Sequence, residues 1–292
     1  MSIELKIFFF INLFFAIIIQ YFDTFFYSNF LNQILFFIIP LIWPGLAHGS
    51  LDILTAKRMN LIKSKYSEII FLVLYISIPL LFIKLWLNYS EIMFTIFLFL
   101  SSWHFGSSDA FLKNRSMKIY EILLRGMIII IVPLRFHYYE TNQVFNFFFV
   151  NDEFIFLLFR ISEYFMYPIT LLILFFLFYS VFKKSFLIFF EIMVLIFCFI
   201  YFKPLVSFFI YFCFLHSIRH LLNEKKKLNL NFNQLFIKTL PMTAIVIFSI
   251  CILIAILSLN NQMSFNLYIK YFVVGISSLT VSHILLINYS KN

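Results

Sequence analysis

Residues 7–19 read Ile7-Phe8-Phe9-Phe10-Ile11-Asn12-Leu13-Phe14-Phe15-Ala16-Ile17-Ile18-Ile19, and Asn12 is the only polar side chain among them. A transmembrane barrel strand would alternate apolar and polar residues; this run is continuous, which reads as helix. With its flanks it extends from roughly Lys6 to Phe22, close to the ~20 residues that cross a bilayer core. Tyr21-Phe22-Asp23 stands where a signal peptide would need small residues, so the run reads as a retained first span. The rest of the chain repeats the pattern. Apolar stretches near 6–24, 33–56, 68–87, 91–111, 118–136, 154–182, 185–202, 204–222, 235–258 and 266–288 predict about ten spans. The sixth is overlong and carries Arg160 and Glu163 near its start; the eighth opens on Pro204, which suits a first helical turn.

Composition agrees. Of 292 residues, 63% are hydrophobic and only 12% charged, against about 45–50% and about 25% in soluble domains. That excludes a disordered chain, a secreted disulfide scaffold and an ordinary cytosolic enzyme. Cys198, Cys213 and Cys251 each sit inside an apolar run with no CxxC pair, as small buried hydrophobes do. The net charge of +9 does not point to nucleic acid, because the basic residues fall between apolar segments as membrane-surface anchors. Lys57, Arg58, Lys63 and Lys65 follow the second span; Lys113, Arg115 and Lys118 the fourth; Lys183 and Lys184 the sixth; Lys225–Lys227 the eighth; and Lys291 the tenth. The alternate connections hold Glu140, Asp152 and Glu153, or the uncharged Asn260-Asn261-Gln262. The positive-inside rule then places both termini in the cytoplasm. The expected fold is an all-α polytopic transmembrane bundle, one integral membrane domain over 1–292.

Five of the six histidines lie in spans that run toward the cytoplasm. His48, His104 and His216 precede Lys57, Lys113 and Lys225 by nine residues, and His283 precedes Lys291 by eight. At helical rise this is roughly 13 Å from the basic surface, so several helices bring imidazoles to one level. His216 and His220, four apart, share a helix face. Ionisable groups inside a membrane face partners in the bundle, and neutral imidazole is the commonest metal ligand. An all-imidazole mononuclear site suits Fe(II), though zinc and copper also accept imidazole. HExxH, a cysteine cluster and the many histidine boxes of membrane di-iron enzymes are absent. Asp52, four after His48, Asp109, five after His104, and Glu191 are candidates to hold the second ring nitrogens. Glu121 and Arg125 read as a structural i, i+4 ion pair, and His137 as an interfacial loop residue. Trp103 and Phe105, beside His104, are candidates for a pocket wall, followed by Trp43 and Tyr211. Three of the five glycines, Gly45, Gly49 and Gly106, flank candidate ligands and allow close approach.

The segments Pro44-Gly45-Leu46-Ala47-His48-Gly49-Ser50-Leu51-Asp52, Trp103-His104-Phe105-Gly106-Ser107-Ser108-Asp109, His216-Ser217-Ile218-Arg219-His220 and Ser282-His283 give HGxxD, WHFGxxD, HSxRH and a late His. In this order and spacing the chain resembles the Brp/Blh bacterial β-carotene dioxygenases over most of its length. Ser107 stands where that family often has an acidic residue, and Ser282 where it often has Pro. The resemblance implies cleavage of the central 15,15′ double bond of β-carotene by dioxygen to two all-trans-retinal. It also implies Fe(II) held by His48, His104, His216 and His220, with His283 a nearby pocket or auxiliary residue. A lipid bilayer of the bacterial inner membrane as surroundings and retinal passed to a microbial rhodopsin complete the expectation, with no nucleic acid partner. The alternative from another class is a transporter or proton- or metal-conducting protein using the intramembrane histidines. It predicts polar residues spread along a path, whereas these histidines share one level. A haem-binding electron carrier is a third reading.

Overall fold

The computed structural model describes residues 1–183, 186–258 and 265–289. Lys184, the Asn260-Asn261-Gln262 connection and Lys291, used above for the charge alternation, lie outside the described residues. Among the described residues every regular element is helical: α1 Ile3–Phe26, α2 Phe30–Pro40, α3 Asp52–Arg58, α4 Lys65–Asn88, α5 Ser90–Asp109, α6 Arg115–Phe136, α7 Tyr138–Phe145, α8 Asp152–Phe182, α9 Phe186–Tyr201, α10 Pro204–Tyr211, α11 Ile218–Lys227, α12 Phe232–Ser258 and α13 Phe265–Tyr289.

Each of the ten apolar stretches is occupied by helix, and seven helices among the described residues are long and apolar enough to cross a membrane. The other three, α5, α6 and α9, fall short for physical reasons. α9 has only 16 residues. α5 carries Ser101, Ser102, His104, Ser107, Ser108 and Asp109, and α6 carries Glu121 and Arg125. Hydropathy therefore discounts the helices that hold His104, Asp109, Glu121, Arg125 and Glu191, while the segments with His48, His216, His220 and His283 pass. Burial differs between the candidate spans: 17% of the apolar window is buried in α8, against 67% over Pro204–Lys227.

The chain divides into two compact units. The first comprises Met1–Gly45, Ser101–Val144 and Glu153–His220. Its core is aromatic and aliphatic: Phe8, Phe15, Phe37, Ile192, Leu195, Phe199, Ile210 and Leu215 are buried together. α5 and α6 touch backbone to backbone. A Cβ at Gly106 would meet the Ile122 carbonyl oxygen at 2.2 Å, and one at Gly126 would meet Ser102 Oγ at 2.4 Å and its carbonyl oxygen at 2.5 Å. Only glycine permits that approach. The second unit comprises Leu46–Leu100, Phe145–Asp152 and Leu221–Asn292. In it α13 lies along α4, and α12 packs on residues 46–51. Buried Trp86 donates to the Phe148 carbonyl at 2.9 Å, and Ser50 and Thr243 hydroxyls meet at 2.8 Å.

Two stretches expected as uninterrupted helix are broken at a histidine. After α2, residues Leu41–Gly45 form a π-type turn and Leu46–Leu51 a 3₁₀ turn that contains His48. After α10, Phe212–Ser217 is a π segment that contains His216. The uniform 1.5 Å rise behind the depth estimate therefore fails at both histidines, since 3₁₀ and π turns change rise and facing. Irregular backbone is tolerated at membrane depth only where protein covers it, and both histidines are buried.

Replacing Gly126 by Ala is expected to lower unfolding stability by about 1–3 kcal/mol through overpacking against Ser102. Gly275→Ala, where nothing lies within 4 Å, is expected to leave it unchanged or slightly raised. Thermal unfolding of the two variants in the same micelle checks the difference.

Candidate metal centre

In the first unit, α5 delivers His104 and the π segment delivers His216, 2% and 1% exposed. Their ring centres are 5.3 Å apart at 67°. Two imidazoles bound to one ion through nitrogens at about 2.1 Å have ring centres roughly 4.6–5.3 Å apart for ligand angles of about 90–109°. The separation falls within that range. Phe105 packs its edge on both rings, at 5.7 Å from His104 and 4.7 Å from His216. His220 follows one turn beyond His216 and is buried too. Trp103, by contrast, is 47% exposed and turns outward, one residue before His104 being about 100° around the helix.

Behind the imidazoles lies a buried charge network. Asp109 ends α5; its Oδ2 accepts from the Tyr211 hydroxyl at 2.6 Å, and its Oδ1 stands 3.6 Å from His216 Nδ1. That last distance is electrostatic contact, longer than a hydrogen bond. Arg219 donates to the Asp109 carbonyl at 3.2 Å and forks onto Glu191 at 2.9 and 2.8 Å. Arg125 donates to Glu191 at 2.6 Å and to Glu121 at 2.9 Å, so the expected i, i+4 pair is present and extended. Glu121 also accepts from the Phe111 and Leu112 amides, and both guanidiniums cover the Phe111 ring, at 5.2 and 4.4 Å. Three buried carboxylates (Asp109, Glu121, Glu191) face two buried guanidiniums, Arg125 and Arg219. Glu4 also reaches Arg219 at 3.5 Å, and Asp109 presents its carboxylate to the imidazole side.

In the second unit, the His48 and His283 ring centres are 4.8 Å apart at 86°. Asp52 faces His283 Nδ1 at 3.0 and 2.9 Å and accepts from the Tyr75 hydroxyl at 2.5 Å. Asp52, expected beside His48, thus holds the late histidine. Glu191, expected to hold an imidazole, holds two arginines. His137, at the end of α6, meets the Ile200 carbonyl at 2.8 Å on an exposed surface.

The donor chemistry of each unit fits a divalent ion: buried imidazoles at ligand separation with a carboxylate beside them. Among the described residues, no three His, Cys, Asp or Glu side chains form a ready donor cluster. Two cavities of the first unit, of about 350 and 400 Å³, lie elsewhere, around Tyr27, Glu140 and Lys203. There burial pushes the Tyr27 phenol up to about 12, and Lys203 reaches Glu140 at 3.2 Å.

Sequence reading passed over Tyr75 and the role of Arg219. An arginine between two histidines in an apolar span was itself a signal, since it needs a buried acid. Tyr75 gave none among 16 tyrosines.

Compared with known proteins, residues 38–290 match the family model described as beta-carotene 15,15'-dioxygenase. A curated protein named beta-carotene 15,15'-dioxygenase, from uncultured marine bacterium 66A03, is 27% identical over 266 residues, covering 85% of this chain and 90% of that protein. No solved structure matches the chain.

Truncating Glu191 to Ala would leave two buried guanidiniums without their shared acid. The expected cost is about 3–5 kcal/mol of unfolding stability, read by denaturant titration of the purified chain in micelles.

Proposed function

The chain belongs to the beta-carotene 15,15'-dioxygenase family, and from that premise we propose that it cleaves the central double bond of β-carotene with dioxygen, yielding two all-trans-retinal. The proposed site is non-haem Fe(II) held by His48, His104, His216 and His220. The observation that carries the reading is the buried His104–His216 pair at ligand separation, backed by Asp109.

Iron(II) supplies the one-electron chemistry through which dioxygen, a ground-state triplet, reacts with an alkene. The protein's part is holding and positioning. Neutral imidazoles hold the ion without neutralising it. The Arg219 and Tyr211 contacts fix Asp109, whose carboxylate faces the His216 ring. Phe105 and its neighbours Phe208 and Phe212 keep water from the rings. β-Carotene is a hydrocarbon dissolved in lipid, so sideways entry from the bilayer requires no aqueous transit. The remaining proposals are ten spans, cytoplasmic termini, an inner-membrane location and delivery of retinal to a microbial rhodopsin. The charge alternation supports the topology.

Expression in β-carotene-producing bacteria is expected to bleach the orange colour and yield retinal. His216→Ala should cut retinal formation by more than about 100-fold. In the purified enzyme a chelator should stop turnover and added Fe(II) restore it. Retinal formation that survives both chelation and His216→Ala would refute the iron site.

A further inference from the structure

His283 lies on α13, where the resemblance gives it only a pocket or auxiliary part. Its surroundings are those of a ligand. It is 5% exposed, and its Nδ1 is within 3.0 Å of both Asp52 oxygens. Metal-bound histidines almost always give their other ring N–H to such an acceptor, which fixes the tautomer and strengthens the donor nitrogen. With the proton on Nδ1, the lone pair is on Nε2. Asp52 is itself fixed by the Tyr75 hydroxyl. One residue before His283, the Ser282 hydroxyl donates to the Tyr75 carbonyl at 2.8 Å, which ties α13 to α4 at this point. The outcome is a ring whose centre is 4.8 Å from that of His48, inside the range for two imidazoles on one ion.

We propose that His283 is a metal ligand acting with His48, and that Asp52, held by Tyr75, is its positioning residue. The inference rests on the metal reading above and concerns the histidine pair within the second unit.

The test uses the full chain in micelles, titrated anaerobically with Co(II) and followed by its visible ligand-field band. His283→Asn keeps an amide that donates to Asp52 but offers no ring nitrogen to the metal. It should weaken Co(II) binding by more than about 100-fold and shift the band at saturation. Asp52→Asn should weaken binding by about 10–100-fold. Wild-type affinity with an unchanged band in His283→Asn overturns the proposal, as does weaker binding with an unchanged band at saturation. In both cases a wild-type chain that binds Co(II), with binding lost in His216→Ala, leaves the metal enzyme standing. A wild-type chain that binds no Co(II) sinks the metal reading itself. If His283→Asn does not fold, Asp52→Asn decides, and unchanged affinity there overturns the proposal.

Discussion

A full charge inside an apolar helical bundle is tolerable only when matched, and the fork of Arg219 onto Glu191 is where the first unit meets that demand. The pair cannot be isolated from its neighbours. Glu191 is shared with Arg125, Arg125 with Glu121, and Glu121 caps the Phe111 and Leu112 amides where the chain leaves α5. Arg219 also touches the backbone of Asp109, the residue facing His216. The orientation of a candidate ligand thus depends on charges one helix removed. In this setting arginine has no equivalent substitute, because lysine lacks the planar fork.

Backbone irregularity completes the arrangement. The π segment that carries His216 and the 3₁₀ turn that carries His48 re-aim side chains that a straight helix would point elsewhere. Lengthened or tightened turns leave main-chain groups with poorer partners, so they survive at this depth by burial within protein. The close α5–α6 contact at Gly106 and Gly126 serves the same end, setting His104 firmly two residues from a glycine that admits the neighbouring backbone.

Much of this was legible in the sequence. Unbroken apolar runs such as 7–19 identified helices at all ten stretches. The common spacing of histidines to basic residues put five imidazoles at one level; the structure brings His104 beside His216 in the first unit and His48 beside His283 in the second. The Glu121–Arg125 pair followed from spacing alone. Other features were not readable, each for a definite reason. Helical periodicity assumes a constant turn, so it cannot reveal a π or 3₁₀ segment at a histidine. Adjacency in sequence made Trp103 look like a pocket residue, yet one helical step turns it outward. Long-range partners, Asp52 with His283 and Glu191 with Arg219, depend on which helices pack together, and no local pattern encodes that.

The central claim is that imidazoles of this apolar protein share a divalent iron. Iron K-edge X-ray absorption of the purified chain, loaded anaerobically with Fe(II), addresses it most directly. The account predicts a first shell of nitrogen and oxygen at about 2.0–2.2 Å with the outer-shell scattering of several imidazole rings. A hydrated ion without ring scattering, or a sulfur shell, would contradict it.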